Sequence, residues 1–259
     1  MRRPDIEALA ELGRTVQDLG VSIVLVGALA REIVFDLPSA RHALRATRDV
    51  DAGVNVRDWD AYERLMAALV RNGRFVRMAE HRLRYHDGTE VDLLPFGGVA
   101  DGDGNITWLQ SGRVMSVSGF LAAEEHSRTE DLDGVRVRVV NLPGLVALKL
   151  FAFGDRRDAK DLQDLVLILG GASDELRNRT YEELESDVLV ELPYEKLGPL
   201  LLGRDIAAML PDREREALLE ILDTTILTPP DYSRLAVADR SGYLERWIGW
   251  FEALRAGLT

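Results

Sequence analysis

Cysteine is absent from this chain of 259 residues, and lysine is scarce. Without cysteine the protein forms neither disulfides nor a thiolate metal site. Its four histidines lack the spacing of a zinc site. No apolar run approaches the length of a membrane span, and the N-terminal residues turn polar before the apolar core of a signal peptide begins. These absences favour an ordinary cytoplasmic globular protein, with no membrane as partner and enough chain for two lobes.

Arginine carries nearly all of the positive charge, since only three of the 32 basic residues are lysines. Coding bias is the simplest explanation of that excess. Two of the lysines, Lys149 and Lys160, nevertheless fall within one short segment, and Lys149 lies in an apolar run. A compact ammonium retained there suits a point charge that faces a phosphate. Chance placement on a solvated helix face is the alternative.

The formal net charge of −12 argues against a protein that grips extended duplex DNA, which normally shows a basic footprint. The segment 41–84 is the exception, with ten arginines against six acids. A brief contact with one nucleic-acid end would suit this segment. Arginines that pair with nearby acids on exposed faces explain it equally well.

Three acidic residues mark the most informative part of the chain. Asp49 and Asp51 begin a predicted strand, where a spacing of two places both side chains on the same face, roughly 6–7 Å apart at the backbone. Asp92 lies between apolar residues in a second short predicted strand. Carboxylates on buried strands are costly unless a cation neutralises them. The pattern therefore predicts a divalent metal site, although a lone Asp-x-Asp more often marks a solvated acidic edge.

A strand that ends in glycine precedes the acids. Residues 21–26 form an apolar, β-branched run, and after Gly27 the apolar residues recur with helical spacing. A strand–glycine–helix junction presents free backbone N–H groups at a helix N-terminus, which suits a phosphate. Many α/β proteins have such a junction for packing reasons alone, so it is the combination with the three acids that is specific.

These motifs resemble those of the polymerase-β-type nucleotidyltransferase superfamily, and within it the AbiEii-like toxins that include the MenT group. The first signature is matched by Gly27-Ala28-Leu29-Ala30, then Arg45-x-Thr47-x-Asp49-x-Asp51, then Val91-Asp92. The second is matched by Lys149, Arg156 and the pair Lys160-Asp161, followed by Asp164. The matched motifs extend from residue 27 to residue 164, and no motif is recognised after about residue 170.

The resemblance implies an α/β (α+β) fold, with a small mixed sheet flanked by helices and a helical C-terminal lobe. We expect a nucleotidyltransferase domain at 1–142 and a helical domain at 143–259. Such a protein transfers a nucleotidyl group from an NTP to an acceptor hydroxyl and releases pyrophosphate. A toxin of this family acts on an RNA, such as a tRNA 3′ end, and has a cognate antitoxin protein as partner.

The resemblance also gives each motif residue a role. Asp49 and Asp51 bind Mg²⁺ or Mn²⁺, and Asp92 completes the metal site, acts as base for the acceptor hydroxyl, or does both. Lys149 steadies the triphosphate, and Asp161 has a functional place, although physics alone allows it to orient Lys149 or Arg156. The residues expected at the nucleotide are Gly27, Ala28, Arg45, Thr47, Lys149 and Arg156.

One departure from the family pattern bears on activity. The family usually has Gly-Gly or Gly-Ser/Thr at the phosphate cradle, whereas this chain has Gly27-Ala28 and lacks the hydroxyl. Backbone N–H groups still bind phosphate, so the expectation is a weakened site. Two other functions stay open. One is modification of a small hydroxylated molecule, as in aminoglycoside nucleotidyltransferases, and the other is a degenerate nucleotide-binding module without catalysis.

Overall fold

The computed structural model describes residues 4–34, 49–132, 134–227 and 243–259. The labels below count the helices and strands within those ranges. The chain divides into two compact units, Met1–Asn141 and Leu142–Thr259. Within the described ranges, no helix combines the length and the apolar character that crossing a membrane requires.

The first unit mixes strands and helices. In chain order its described elements are α1 (Pro4–Leu19), β1 (Ser22–Val26), α2 (Gly27–Val34), β2 (Asp49–Val56), α3 (Trp59–Arg71), β3 (Phe75–Arg77), β4 (Arg82–Tyr85), β5 (Glu90–Gly97), β6 (Asn105–Thr107), β7 (Val114–Ser116), α4 (Phe120–Glu125), β8 (Arg128–Leu132) and β9 (Val135–Val139).

Seven of these strands form one mixed sheet in the order β3-β4-β5-β2-β1-β9-β8. Strands β2 and β5 are parallel, as are β1 and β9, and the other neighbours are antiparallel. Strands β6 and β7 form a separate antiparallel pair. The expectation of a small mixed sheet flanked by helices is confirmed.

Strand β2 lies in the middle of the sheet and has two different faces. Val50, Ala52 and Val54 are completely buried, whereas Asp49 on the opposite face is exposed and Asp51 is half-buried. Helices α1 and α3 both pack against β2. Alternation of apolar and polar residues is what a strand with one core-facing side requires. The core therefore fixes the register of β2 and, with it, the face on which the two acids lie.

Helices make up the regular structure of the second unit in its described residues. They are α5 (Leu142–Arg156), α6 (Ala159–Glu175), α7 (Arg177–Glu183), α8 (Ser186–Glu191), α9 (Tyr194–Met209), α10 (Asp212–Ile221), a π-helical segment (Leu222–Ile226) and α11 (Leu244–Leu258). The expectation of a helical C-terminal lobe is confirmed.

Helices α9 and α11 pack backbone against backbone. A Cβ built on Gly203 would overlap the carbonyl oxygen of Leu254 and lie 2.8 Å from the Cα of Gly257. A Cβ on Gly257 would overlap the carbonyl oxygen of Leu200. Neither neighbour is the flexible end of a side chain, so glycine is required at both positions if the two helices are to approach this closely.

We expect Gly203→Ala to destabilise the protein by about 1–3 kcal/mol, the usual cost of inserting a methyl group into a packed interface. Gly13→Ala is the matched control, because Gly13 lies within α1 and has nothing within 4 Å of the added Cβ. That change should stabilise by roughly 0.5–1 kcal/mol through helix propensity. Urea unfolding followed by circular dichroism measures both, and equal stabilities of the two variants would contradict the close contact.

Candidate active site on strands β1, β2 and β5

Four carboxylates lie on one face of β2 and β5. The parallel register places Asp49 beside Glu90 and Asp51 beside Asp92. Neighbouring strands are roughly 4.8 Å apart, so the four side chains occupy two adjacent rows. Three of these acids are predicted from the sequence as site residues, and Glu90 is not. The structure brings Asp51 and Asp92 together as direct cross-strand neighbours, which no spacing along the chain reveals.

Gly27 lies directly against the carboxylate of Asp51. Strand β1 runs antiparallel to β2 with Val26 opposite Asp51, and α2 begins at Gly27 as the strand ends. Gly27 has φ +69°, and a Cβ built there would overlap the carboxylate of Asp51. Glycine is thus required for two reasons, the left-handed backbone and the approach of the acid. The helix N-terminus and the acidic face meet at this point.

Replacing Gly27 with alanine should destabilise the fold more than replacing Gly20. Gly20 has φ +63° and nothing within 4 Å, so Gly20→Ala isolates the cost of a left-handed backbone, about 1–2 kcal/mol. Gly27→Ala adds the overlap with Asp51 and should cost at least about 1 kcal/mol more. Urea unfolding of both variants is the measurement, and adding Asp51→Ala to Gly27→Ala should recover the difference. An equal loss at the two glycines would show that Asp51 moves aside freely.

Three further residues of the first signature give less information. Ala28 is the second residue of α2 and offers no side-chain hydroxyl. Arg45 and Thr47 lie outside the described residues. Of the expected phosphate cradle, the described part therefore comprises Gly27, Ala28 and the first turn of α2, which contains no acidic residue.

Arg82 donates two hydrogen bonds to the carboxylate of Asp92. Its Nε donates to Asp92 Oδ1 at 2.7 Å and its Nη2 to Oδ2 at 2.6 Å, while Nη1 lies 3.0 Å from Glu90 Oε2. The hydrogen bonds to Asp92, together with the negative charges of Asp92, Glu90 and Asp49, raise the pKa of Arg82 although partial burial lowers it. Arg82 is a permanent cation, directly opposite Asp92 in the register of β4 and β5.

The sequence held a signal for this contact. Strands β4 and β5 are joined by a tight turn that contains Asp87 and Gly88, with Gly88 at φ +94°. A turn of this composition predicts a hairpin, and counting outward from it pairs Arg84 with Glu90 and Arg82 with Asp92, as observed. The register of this hairpin therefore identifies Arg82 as the partner of Asp92.

The donor set fits a small divalent cation through two carboxylates. Asp49 and Asp51 are hard oxygen donors on one strand face, and Mg²⁺ commonly takes one or two carboxylates plus waters and substrate phosphates. Across the described ranges, no group of three or more His, Asp or Glu side chains is placed to hold a metal ion. Asp92 in particular is engaged by Arg82.

The same face of β2 is covered beyond the acids. A Cβ on Gly53 would lie 2.7 Å from the ring of Phe120, the first residue of α4, so that ring covers the strand at this point. Further along, Asn55 donates to Glu124 Oε2 at 2.6 Å. The buried Glu124 also accepts from Arg138, whose guanidinium contacts Ser22. Helix α4 is thus fastened over one half of the face, and the acids occupy the other half.

The second signature forms a charge network in the second unit, in which Lys149, Asp161 and Asp164 are largely buried and Arg156 is exposed. Lys149 Nζ is 2.6 Å from Asp164 Oδ2 and 3.5 Å from Asp161 Oδ1. Arg156 donates to both oxygens of Asp161 at 2.6 Å. Asp161 is fully buried, and the side chain of Lys149 is 13% exposed. Asp161 contacts both cations, and this pairing compensates the charge of a fully buried carboxylate.

The structure thus brings Lys149, Arg156 and Asp161 together, and Asp164, the last residue of the same signature, is the closest partner of Lys149. Asp164 follows Asp161 by three residues on α6, so both face the same way, and this spacing predicts that both contact the same cation. The other lysine of the segment, Lys160, is exposed at the start of α6 and makes no side-chain ion pair with any described residue.

No protein-family model matches the chain, and no curated protein matches it. Among solved structures, an antigenic nucleotidyltransferase-like protein from Paracoccidioides brasiliensis is similar with a TM-score of 0.41 and 16% identity, over 76% of this chain and 94% of that one. The antibiotic-resistance factor ANT(2'')-Ia is similar with a TM-score of 0.35 and 13% identity, over 93% of this chain and 97% of that one. Likenesses this distant carry no weight in assigning an activity.

Proposed function

We propose that this chain is a metal-dependent nucleotidyltransferase, with its nucleotidyltransferase domain at 1–142 and a helical domain at 143–259. The observation that carries the proposal is the contact of Gly27 with the carboxylate of Asp51, beside which Asp92 lies on the next strand. A phosphate-binding helix start and paired acids at one point suit a substrate that carries phosphates and a divalent cation.

The phosphates of the NTP bind at the start of α2. The first N–H groups of a helix have no intrahelical partner, and the helix dipole favours negative charge there. Ala28 contributes its backbone N–H and no hydroxyl, so binding is weaker than at a cradle with serine. Arg45 and Thr47 remain proposed contacts of the nucleotide on the strength of the resemblance.

Asp49 and Asp51 hold Mg²⁺ or Mn²⁺. A bound cation of this kind neutralises the negative charge that develops on the phosphate oxygens. Asp92 takes the proton of the acceptor hydroxyl. The acceptor oxygen bonds to the α-phosphorus while the bond from that phosphorus to the bridging oxygen breaks, and pyrophosphate leaves with the electron pair.

The acceptor we favour is an RNA end, such as a tRNA 3′ end, which would make the protein a toxin of the AbiEii-like type with a cognate antitoxin. The support is the resemblance in motif order. The arginine-rich segment 41–84 adds little, because five of its seven described arginines lie within 4 Å of an acid. The net charge of −12 fits a brief contact with one RNA end better than extended duplex binding.

A degenerate nucleotide-binding module is the second candidate, and two observations favour it. Ala28 lacks the cradle hydroxyl, and Asp92 is engaged by Arg82 through both of its oxygens. A module of this kind would bind NTP through α2 without transferring any part of it.

Incubation with each of the four NTPs, labelled at the α-phosphate, with Mg²⁺ and with or without total tRNA, tests the proposal. Label in the tRNA fraction supports an RNA acceptor. Label in a small molecule, seen only when a cell extract of low molecular mass is added, identifies a small hydroxylated acceptor. Retention of NTP on the protein with no transfer under any condition supports the degenerate module and removes the transferase.

A further inference from the structure

The side chain of Arg82 pairs with Asp92, the third carboxylate of the predicted metal site. All three of its guanidinium nitrogens with hydrogen-bonding capacity face acids of β5, two of them Asp92 and one Glu90. Arg84 lies two residues along the same strand, opposite Glu90. It is exposed and has no ion-pair partner within the described ranges. Both arginines lie on the same face of β4, but of the two it is Arg82 that contacts Asp92.

We propose that Arg82 is a resident cation that competes with the divalent metal for Asp92, so that the resting protein binds metal through Asp49 and Asp51 alone. The inference rests on the proposed function, because it takes the metal to lie at the acids of β2. It assigns Arg82 as a positioning residue, which acts through Asp92 and contacts neither substrate nor metal.

Charge explains why Arg82 and the metal compete. A bidentate guanidinium satisfies both oxygens of a carboxylate with strong hydrogen bonds. Its positive charge also lies beside a site that has to attract a cation, and like charges this close repel. Asp92 can turn towards the metal only at the cost of its two bonds to Arg82. While those bonds persist, its oxygens contribute little to holding a divalent ion.

Glu90 is a second carboxylate with which Arg82 can pair when Asp92 is released to the metal. Arg82 already contacts Glu90 through Nη1 while its other two nitrogens hold Asp92. The side chain of Arg82 is 40% exposed and that of Glu90 39%, so the guanidinium has solvent to move into and a carboxylate to remain with. Release of Asp92 therefore leaves no buried charge unpaired.

Mn²⁺ binding without nucleotide tests the competition directly, read from the electron paramagnetic resonance signal of free Mn²⁺ at 0.15 M salt. Arg82→Gln should bind Mn²⁺ roughly tenfold more tightly, since the number of charged ligands sets affinity in such sites. Arg84→Gln, the matched control, removes the same charge from the same strand face and should change affinity less than about twofold, because exposed charges are screened.

Variants of Asp92 complete a double-mutant cycle with Arg82→Gln. Asp92→Asn alone should weaken Mn²⁺ binding less than Asp51→Asn does, because Asp92 is already held by Arg82, and the guanidinium keeps Glu90 as a partner when Asp92 is replaced. In the Arg82→Gln background, Asp92→Asn should cancel the gain. Circular dichroism checks that each variant is folded, so a loss of binding is not a loss of structure.

Two results would overturn the competition. One is equal Mn²⁺ affinity in Arg82→Gln and Arg84→Gln, and the other is a loss in Asp92→Asn as large as that in Asp51→Asn. In either case Asp51→Asn still abolishes binding if the proposed function is right. Unchanged affinity in Asp51→Asn would instead remove the metal from β2, and with it both the proposed function and the role of Arg82.

Discussion

Asp51→Asn is expected to reduce transfer of labelled nucleotide by about 100- to 1,000-fold, the usual effect of removing one preorganised electrostatic contact from a site where charge develops. Asp51 is the acid that touches Gly27 and lies beside Asp92. An asparagine keeps the shape of the side chain and removes the charge, so the loss reports on charge rather than on packing.

The same variant should remain folded in the absence of metal, because an asparagine fills the same space as Asp51. Circular dichroism of the metal-free protein checks this, so that a loss of transfer is not a loss of structure. Asp60→Asn, an exposed acid in the first turn of α3, is the control and should leave transfer unchanged. Wild-type transfer by Asp51→Asn would remove the acid from the mechanism.

Lys149→Ala should destabilise the protein by about 1–3 kcal/mol, because the largely buried carboxylate of Asp164 loses its contact with Lys149. Asp161 keeps both of its bonds to Arg156. Lys160→Ala removes the same side chain from an exposed position eleven residues later and should change stability by less than about 0.5 kcal/mol. Urea unfolding of the full chain measures both.

A double variant separates the structural role of Lys149 from a role at the triphosphate. Lys149→Met with Asp164→Leu removes both charges of the closest pair together and should be more stable than Lys149→Ala, because well-packed apolar residues often replace a buried ion pair at little cost. If Lys149 also steadies the triphosphate, the KM for NTP stays raised in this stable protein. A wild-type KM there would assign Lys149 to the fold alone, and equal stability of Lys149→Ala and Lys160→Ala would contradict the buried network itself.

The elements that carry the candidate site were predictable because their signals are local. The apolar run before Gly27 and the alternation around Asp49 and Asp51 each reflect a strand with its own burial pattern. Strand β8 was missed because Arg128–Leu132 is mostly charged and polar. Among the described strands it pairs with β9 alone, at the edge of the sheet, where half-exposed charged residues are tolerated.

The contacts within the site were harder to predict because they depend on pairing between distant strands. No local signal says that β5 lies parallel to β2 with Asp92 beside Asp51. The contact between Gly27 and Asp51 depends in the same way on the pairing of β1 with β2. From the sequence alone, glycine at position 27 is explained only by phosphate binding. The contacts of Arg82 and Asp164 are predictable from local sequence. The register of a hairpin places Arg82 opposite Asp92, and a spacing of three residues places Asp164 on the same helix face as Asp161.

The order of strands in the sheet has a consequence for how the first unit folds. Leu25 of β1 pairs with Val139 of β9, more than a hundred residues later in the chain, whereas β2 and β5 complete the acidic face with residues before 98. Closing so long a loop is slow, because its entropy is lost before the contact forms. During synthesis, β2 and β5 can therefore pair before β9 has been made, while one edge of β1 is still unpaired. At that edge an incomplete chain is most open to association with another chain.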